Sequence, residues 1–398
     1  MAPLERRLFD AIEQIPPDRW DALHDGGNPF VHHAFLAGLE RHGCLRDEWG
    51  WRARHLTLWR DGNLVAAAPG YLKSNSHGEF FFDHAWAHAY ARHGREYFPK
   101  WLCAVPYSPV TGPRLLAACE SDKVALVDAI AGLTDDHGLS SAHVNFHRAS
   151  ESGEFESAAA SDGARLPAQA GAPPGWLERI DVQYHWGNDH GWKDFDDFLA
   201  AMDHKHRKNI RQERARIARL GVQLRTVHGD EASDRDLAAM HAFYLRTFAE
   251  YGNSPALTID FFRHLATQMP RSLVLVLCEA AGATIAGALF LRGRDTLYGR
   301  YWGAVASPPG LHFEACYYQG IEYCLREGLG RFEPGAQGEH KIARGFLPSI
   351  VHSHHWIADP AFRQAIGAWC TEEAASVRRH AQALAARTPF RTPPEPLP

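Results

Sequence analysis

Apolar and polar positions alternate along two stretches of the chain, and each stretch folds back on itself at a glycine. Residues 51–59 (Trp51 to Trp59) alternate, Asp61-Gly62-Asn63 supplies a turn, and Leu64 to Ala68 returns. Leu273 to Cys278 is a continuous apolar run, Ala281-Gly282-Ala283 turns, and Ile285 to Leu291 returns. Both read as strand hairpins. Aromatic-rich strand sequence follows each hairpin (Phe80-Phe81-Phe82; Tyr298 to Trp302), and then an acid near a helix start (Asp83; Glu314). This faint repeat predicts two copies of one α/β unit.

A 3.6-residue period appears elsewhere. Phe195, Phe198, Leu199, Met202, Ile210, Ile217 and Leu220 make one stripe, which predicts a long helix beginning at Phe195 and ending at Gly221. Leu311, Ala315, Tyr318, Ile321 and Leu325 make another, with Glu314 at its edge. A last helix opens on Asp359 as N-cap and Pro360 at its first position. Residues 150–175, rich in Ala, Ser, Gly and Pro, read as a linker or a short helix with loops. From Thr388 the proline-rich tail is expected to be disordered.

The 398 residues exceed one ordinary core. Hydrophobic content of 45% and charged content of 22% are those of a globular protein. A formal net charge of -5 gives no global field for a polyanion, so any such site must be local. Seven cysteines form no C-x-x-C pair, which argues for buried thiols rather than a disulfide framework, in a reducing cytoplasm. The charged N-terminus lacks the apolar core of a signal peptide, and no stretch approaches a membrane span.

Four constellations carry candidate chemistry. Between 204 and 219 there are seven Lys and Arg against Glu213 alone, on the face opposite the apolar stripe. Lys205, Arg207, Lys208 and Arg211 are the candidate phosphate ligands, for a nucleotide diphosphate or an RNA backbone; a solvated charged face is the bland alternative. Residues 331–346 pack acids, an amide and cations among three glycines and a proline, too many breakers for a helix or strand interior. Amide formation needs an amine that loses a proton, a polarised acyl carbonyl, and exclusion of water. Glu339 or His340 answers the first need, and Lys341 or glycine N–H groups the second; Glu333, Gln337 and Arg344 lie beside them. Glu314 is either an interface ion-pair partner or an active-site carboxylate. Lys73, Asp83 and Tyr107 follow strand-like segments and, with Arg300 and Trp302, complete the expected substrate-binding set. His84 and His88 lack the glutamate of a zincin, and like His352, His354 and His355 they read as core or solvent histidines, so no metal is expected.

Several strings together resemble the Fem-like (FemABX-type) N-acyltransferases, and more closely the branch labelled peptidoglycan biosynthesis or recognition. They are Tyr71-Leu72-Lys73-Ser74, Gly78-Glu79-Phe80, Gln183-Tyr184-His185-Trp186, Lys208-Asn209-Ile210-Arg211, Tyr298 to Gly303, His312-Phe313-Glu314, Cys316 to Gln319 and Glu333 to Phe346. The resemblance spans about 28–358. It implies two tandem GCN5-related acetyltransferase-like domains, α/β with mixed sheets flanked by helices. The domains are expected over 1–190 and 191–388, with a tail over 389–398. It implies transfer of an acyl or aminoacyl group to an amine of a small or cell-wall precursor acceptor, with aminoacyl-tRNA or acyl-CoA as co-substrate, no tightly bound cofactor and no DNA partner. Lys341 or Arg344 falls where those enzymes carry a lysine close to the transferred group. One departure stands out. The stretch Ala306-Ser307-Pro308-Pro309-Gly310 replaces the pyrophosphate loop of acetyl-CoA users, and its prolines remove two N–H donors from an anion nest. A second is the absence of the helical arm that Fem-type enzymes often carry.

Overall fold

The computed structural model describes residues 3–162 and 175–392. The chain divides into two compact units. Unit 1 comprises Met1–Gly26, Phe30–Asp181 and Ile350–Arg379; unit 2 comprises Gly27–Pro29, Val182–Ser349 and His380–Pro398. Residues 350–379 therefore belong with unit 1 rather than with a continuous 191–388 domain. The reason is strand pairing: strand Leu347–Ile357 lies antiparallel to Ser141–His147, with His355 opposite His143.

Unit 1 holds a four-stranded meander in the order Glu5–Phe9, His55–Arg60, Asn63–Ala68, Leu116–Ala117. It also holds a mixed sheet of Leu347–Ile357, Ser141–His147, Lys100–Cys103, Gly70–Lys73 and Trp51–Ala53. Lys100–Cys103 and Ser141–His147 run parallel. One face packs Trp101, Cys103, Ala142 and Val144 with Leu126 and Ile130 of helix Glu120–His137. Over the other face lie helix His84–Arg92, through Trp86 and Tyr90, and helix Pro360–Ala385, through Ile366 and Cys370. Asp359 Oδ1 caps this last helix, accepting from Ala361 N–H at 2.9 Å and Phe362 N–H at 3.2 Å.

Unit 2 is built on strands Gln223–His228, Leu273–Ala280, Ala283–Arg292, Thr296–Ala304 and Arg331–Glu333, with residues 186–187 pairing the last. All pairings are antiparallel except that of Thr296–Ala304 with Arg331–Glu333, which is parallel over 296–298 only. Helices Phe195–Ala201 and His204–Arg219, and the helix beginning at Leu311, cover one face through Phe198, Ile210, Ile217, Leu311 and Ile321. The expected single helix from Phe195 is thus two. Asp203 interrupts it, because its carboxylate caps the second helix by accepting from His206 N–H at 2.9 Å. Gly221 follows that helix with φ +69°.

The two hairpins match in detail. Asp61 and Gly62 have φ +50° and +74°; Ala281 and Gly282 have +50° and +78°. Positive φ at both central residues defines a type I′ turn, whose twist suits paired strands. Each return strand then carries one extra residue three positions past the turn glycine, Val65 and Ile285, as a β-bulge. The chain's end differs from the expected disorder: the Phe390 ring stacks on Trp192 at 5.4 Å, and Pro389 carbonyl accepts from Asp203 N–H. Residues 393–398 lie outside those described.

Candidate active site

The site begins with a bulge in unit 2. Leu289 faces Tyr301 and Phe290 faces Gly299, so Arg300 is the extra residue of Thr296–Ala304. Past residue 298 this strand loses its parallel partner, and residues 334–346 fill the space. Pro334 Cα would stand 3.1 Å from a Cβ on Gly299, so the glycine admits the loop against the strand. Gly335, Gly338 and Gly345 hold φ of +102°, +112° and +90°, values that bend the loop sharply and exclude ordinary side chains. Between them Glu339–Arg344 forms a 3-10 turn.

This turn buries Lys341. Its Nζ donates to the Gly335 carbonyl at 2.6 Å and meets no carboxylate among the described residues. Burial lowers its pKa to about 8. Around it stands an aromatic wall. Tyr317 OH lies 3.0 Å from His340 Nε2, Phe313 and Tyr317 stack at 5.9 Å, and His312 meets Trp302 edge-on at 5.4 Å. Burial lowers His312 to about 4 and His185 to about 3, and the Lys341 charge pushes both the same way. His340 is lowered by burial and then by Arg344 and Lys341. At neutral pH these imidazoles are therefore uncharged.

Arg344 joins the turn to the basic helix. Its guanidinium lies 3.5 Å over the Phe313 ring, donates to the His340 carbonyl at 2.9 Å and pairs with Glu213 at 2.8 Å. Glu213 also accepts from Tyr318 OH. One residue on, Arg214 forks between Glu314 (3.0 Å) and Glu322 (2.8 Å), and Gln319 donates to both. Glu314 opens a π-helical turn, Glu314–Tyr318, of the kind that often marks functional segments.

The structure thus separates the expected site residues. Lys341, His340, Arg344, Arg300 and Trp302 gather around one turn, with Glu333 at its root. Glu314 is buried but spent on Arg214, the interface reading of that acid. Glu339 is exposed and pairs with Arg387 at 2.6 Å, and Gln337 is exposed. Lys73, Asp83 and Tyr107 lie in unit 1. Sequence reading missed Arg214 and Glu213 as inward-facing. Their spacing from Ile210 and Ile217, three or four residues each way, carried that signal.

On the outer face of His204–Arg219, an open depression of about 370 Å³ is lined by His204, Arg207, Lys208, Arg211, Gln212, Ala215 and Arg219. Arg211 reaches Asp196 at 3.2 Å, whereas Lys205, Arg207 and Lys208 make no ion pair among the described residues. One group among the described residues has metal-ligand spacing, Asp21, His24 and His32 in unit 1. There His24 Nδ1 accepts from Gly26 N–H at 3.1 Å, so the ring proton sits on Nε2, facing Asp21 at 3.2 Å. His24 gives Asp21 a donor and has no lone pair left for a metal.

Two mixed sheets flanked by helices, with a glycine-bent loop over the split in the second, define a tandem acetyltransferase-like protein. The chain belongs to the FemAB-like family of peptidoglycan biosynthesis/recognition, which it matches over residues 11–392. Its fold is similar to that of FemX, with a TM-score of 0.52 and 12% identity over 91% of this chain and 100% of that one. It is also similar to L-PGS from Bacillus licheniformis, with a TM-score of 0.51 and 9% identity over 85% and 91% of the two chains. No curated protein sequence matches the chain. No helix among the described residues is long and apolar enough to cross a membrane.

Proposed function

We propose that the chain is an N-acyltransferase joining an acyl or aminoacyl group to an amine of a small or cell-wall-related acceptor, with its chemistry at Lys341. The observation that carries this reading is a buried lysine whose one hydrogen bond among the described residues goes to a carbonyl, on a glycine-bent loop beside neutral imidazoles. With a pKa of about 8, Lys341 is mostly an ammonium at neutral pH. As the acceptor nitrogen attacks the acyl carbon, the carbonyl electrons move to oxygen, and the ammonium stabilises that oxyanion. Collapse re-forms the carbonyl and expels the donor's ester oxygen or thioester sulfur. The proton lost by the amine goes to neutral His340, which Tyr317 orients, and His340 passes it to the expelled oxygen or sulfur.

The donor we favour is an aminoacyl-tRNA. Val305 and Ala306 both spend their N–H groups on the Ile285 carbonyl, at 2.8 and 3.4 Å, and two prolines follow. Little is left to cradle a CoA pyrophosphate, while the unpaired cations of His204–Arg219 suit a phosphate backbone. The test is amide formation by the full chain with labelled aminoacyl-tRNA or acyl-CoA and amine-bearing cell-wall precursors, read by mass spectrometry. Product from aminoacyl-tRNA supports the reading. Product from acyl-CoA alone overturns the donor. Saturable binding of precursor with no product from either donor makes the chain a binding module.

A further inference from the structure

Unit 1 buries a second set of charges that this chemistry does not use. Lys73 and Lys100 are directly opposite one another on adjacent strands, and both are 0% exposed. Like charges in that position repel, and burial makes each ammonium costly. Lys100 is answered: its Nζ meets Glu79 Oε2 at 2.8 Å and Asp83, which also accepts from Tyr97 OH at 2.7 Å and from Ser76. Lys73 is not. Its one hydrogen bond among the described residues goes to the His77 carbonyl at 3.0 Å, and its ammonium faces the Trp51 ring at 3.8 Å. Glu79 Oε1, on a residue 2% exposed, has no hydrogen-bond partner among the described residues. An unused donor on Lys73 and an unused oxygen on Glu79 thus share one buried place, where unmade hydrogen bonds are expensive.

The cover over this place is irregular. Residues 74–82 form no helix or strand, and Phe80 takes a left-handed φ of +58° that a side chain rarely adopts. The Phe80 and Phe82 rings are exposed. The segment is held mainly by the groups beneath it: His77 carbonyl accepts from Lys73 and Trp51, Gly78 carbonyl accepts from Tyr107 N–H, and Ser76 donates to Asp83. Strain in such a cover is retained where the surroundings impose it, and it clusters at ligand clamps.

We propose that unit 1 holds a separate oxyanion site, at which Lys73 and Glu79 together bind a carboxylate or phosphate group beneath residues 74–82. Lys73 offers an N–H donor beyond those turned to the His77 carbonyl and the Trp51 ring, and Glu79, when protonated, offers an O–H. Two lysines with Asp83 then carry one net positive charge, which a singly charged anion balances. The titration agrees. Burial lowers Lys73 to about 7 and raises Glu79 to about 7, so both stand ready to take up a proton. The charged groups facing Lys73 are Glu79, Lys100 and Asp83, and His77 is the remaining titratable neighbour. An arriving anion favours the protonated form of each, so binding must draw in protons and strengthen as pH falls.

The experiment is calorimetric titration of the full chain carrying Arg207→Ala, Lys208→Ala and Arg211→Ala, which removes the other anion surface. Sodium acetate and inorganic phosphate are the two probes, each in two buffers of different ionisation enthalpy. We expect at least one probe to bind with buffer-dependent heat, tighter at pH 6.5 than at pH 8 by roughly tenfold if one of the two groups takes up a proton and by roughly 70-fold if both do. Lys73→Met should abolish binding; Glu79→Gln, which keeps a donor, should bind with less proton uptake. Acetate binding assigns a carboxylate ligand, and phosphate binding alone assigns a phosphate. Should Lys73→Met fail to fold, hydrogen exchange of the parent decides: slowing in residues 74–82 on adding probe supports the site. No binding by either probe in the millimolar range, equal binding by Lys73→Met, or exchange in 74–82 unmoved by probe would overturn it.

Discussion

Lys100 in unit 1 and Lys341 in unit 2 are both buried lysines, yet they stand at opposite ends of one scale. Two carboxylates enclose Lys100; burial works to lower its pKa, but Glu79 and Asp83 outweigh that and raise it. Among the described residues Lys341 has a single carbonyl, no carboxylate answers it, and burial outweighs the opposing influence of Cys316. A buried charge that is fully paired holds a fold together, while one left underpaired keeps its capacity for a ligand. The same contrast separates Glu314, enclosed by Arg214 and Gln319, from Glu79 with its idle oxygen. The matching hairpins of the two units, down to the bulge three residues past each turn glycine, say nothing about which charge is which.

The comparison breaks most visibly if Lys100 can be removed without harm. Lys100→Met strands Glu79 and Asp83, and should cost roughly 3–5 kcal/mol of stability by denaturant titration. A loss below about 1 kcal/mol would mean that the enclosure is not structural. Lys341→Met should behave in the opposite way. In the parent, the Lys341 pKa of about 8 lies below its ordinary value of 10.5. The unfolded chain therefore binds more protons between those two values, and stability rises with pH across that window. In Lys341→Met the rise should become shallower, keeping only the part that Lys73, lowered to about 7, contributes, with no loss of stability at pH 7; thermal melts from pH 7 to 10.5 read both.

Smaller effects sharpen the surface half of the picture. Arg207→Ala with Lys208→Ala and Arg211→Ala should leave the melting temperature nearly unchanged, since solvated charges contribute little. RNA binding should weaken, and the slope of log affinity against log salt should fall by about 2. An unchanged slope would return the helix to a solvated face. Least of all, Glu339→Gln should alter turnover by less than about threefold, because its carboxylate already pairs with Arg387 on the surface. A hundredfold loss there would restore Glu339 as the base.

Local chemistry was legible in the sequence. Both hairpins, the Asp359 cap, the stop at Gly221 and the glycine-bent loop follow from turn, cap and period rules that act within a few residues. The roles of the acids were not legible. Glu314 is claimed by Arg214 and Glu339 by Arg387, partners 100 and 48 residues away. Lys100 drew no notice, because nothing beside it in the chain announces Glu79 and Asp83. The break at Asp203 was masked by an apolar stripe that keeps its phase across the interruption.

The most direct test of the account compares amide formation by the parent and by Lys341→Met, with the same labelled donor and amine acceptor. An ammonium that stabilises the oxyanion contributes about 10²-fold or more in rate. The account predicts a loss of at least that size with the fold intact, and a parent rate that declines as pH rises through about 8 and the ammonium is lost. Turnover by Lys341→Met within a few-fold of the parent, with an unaltered pH profile, would contradict it.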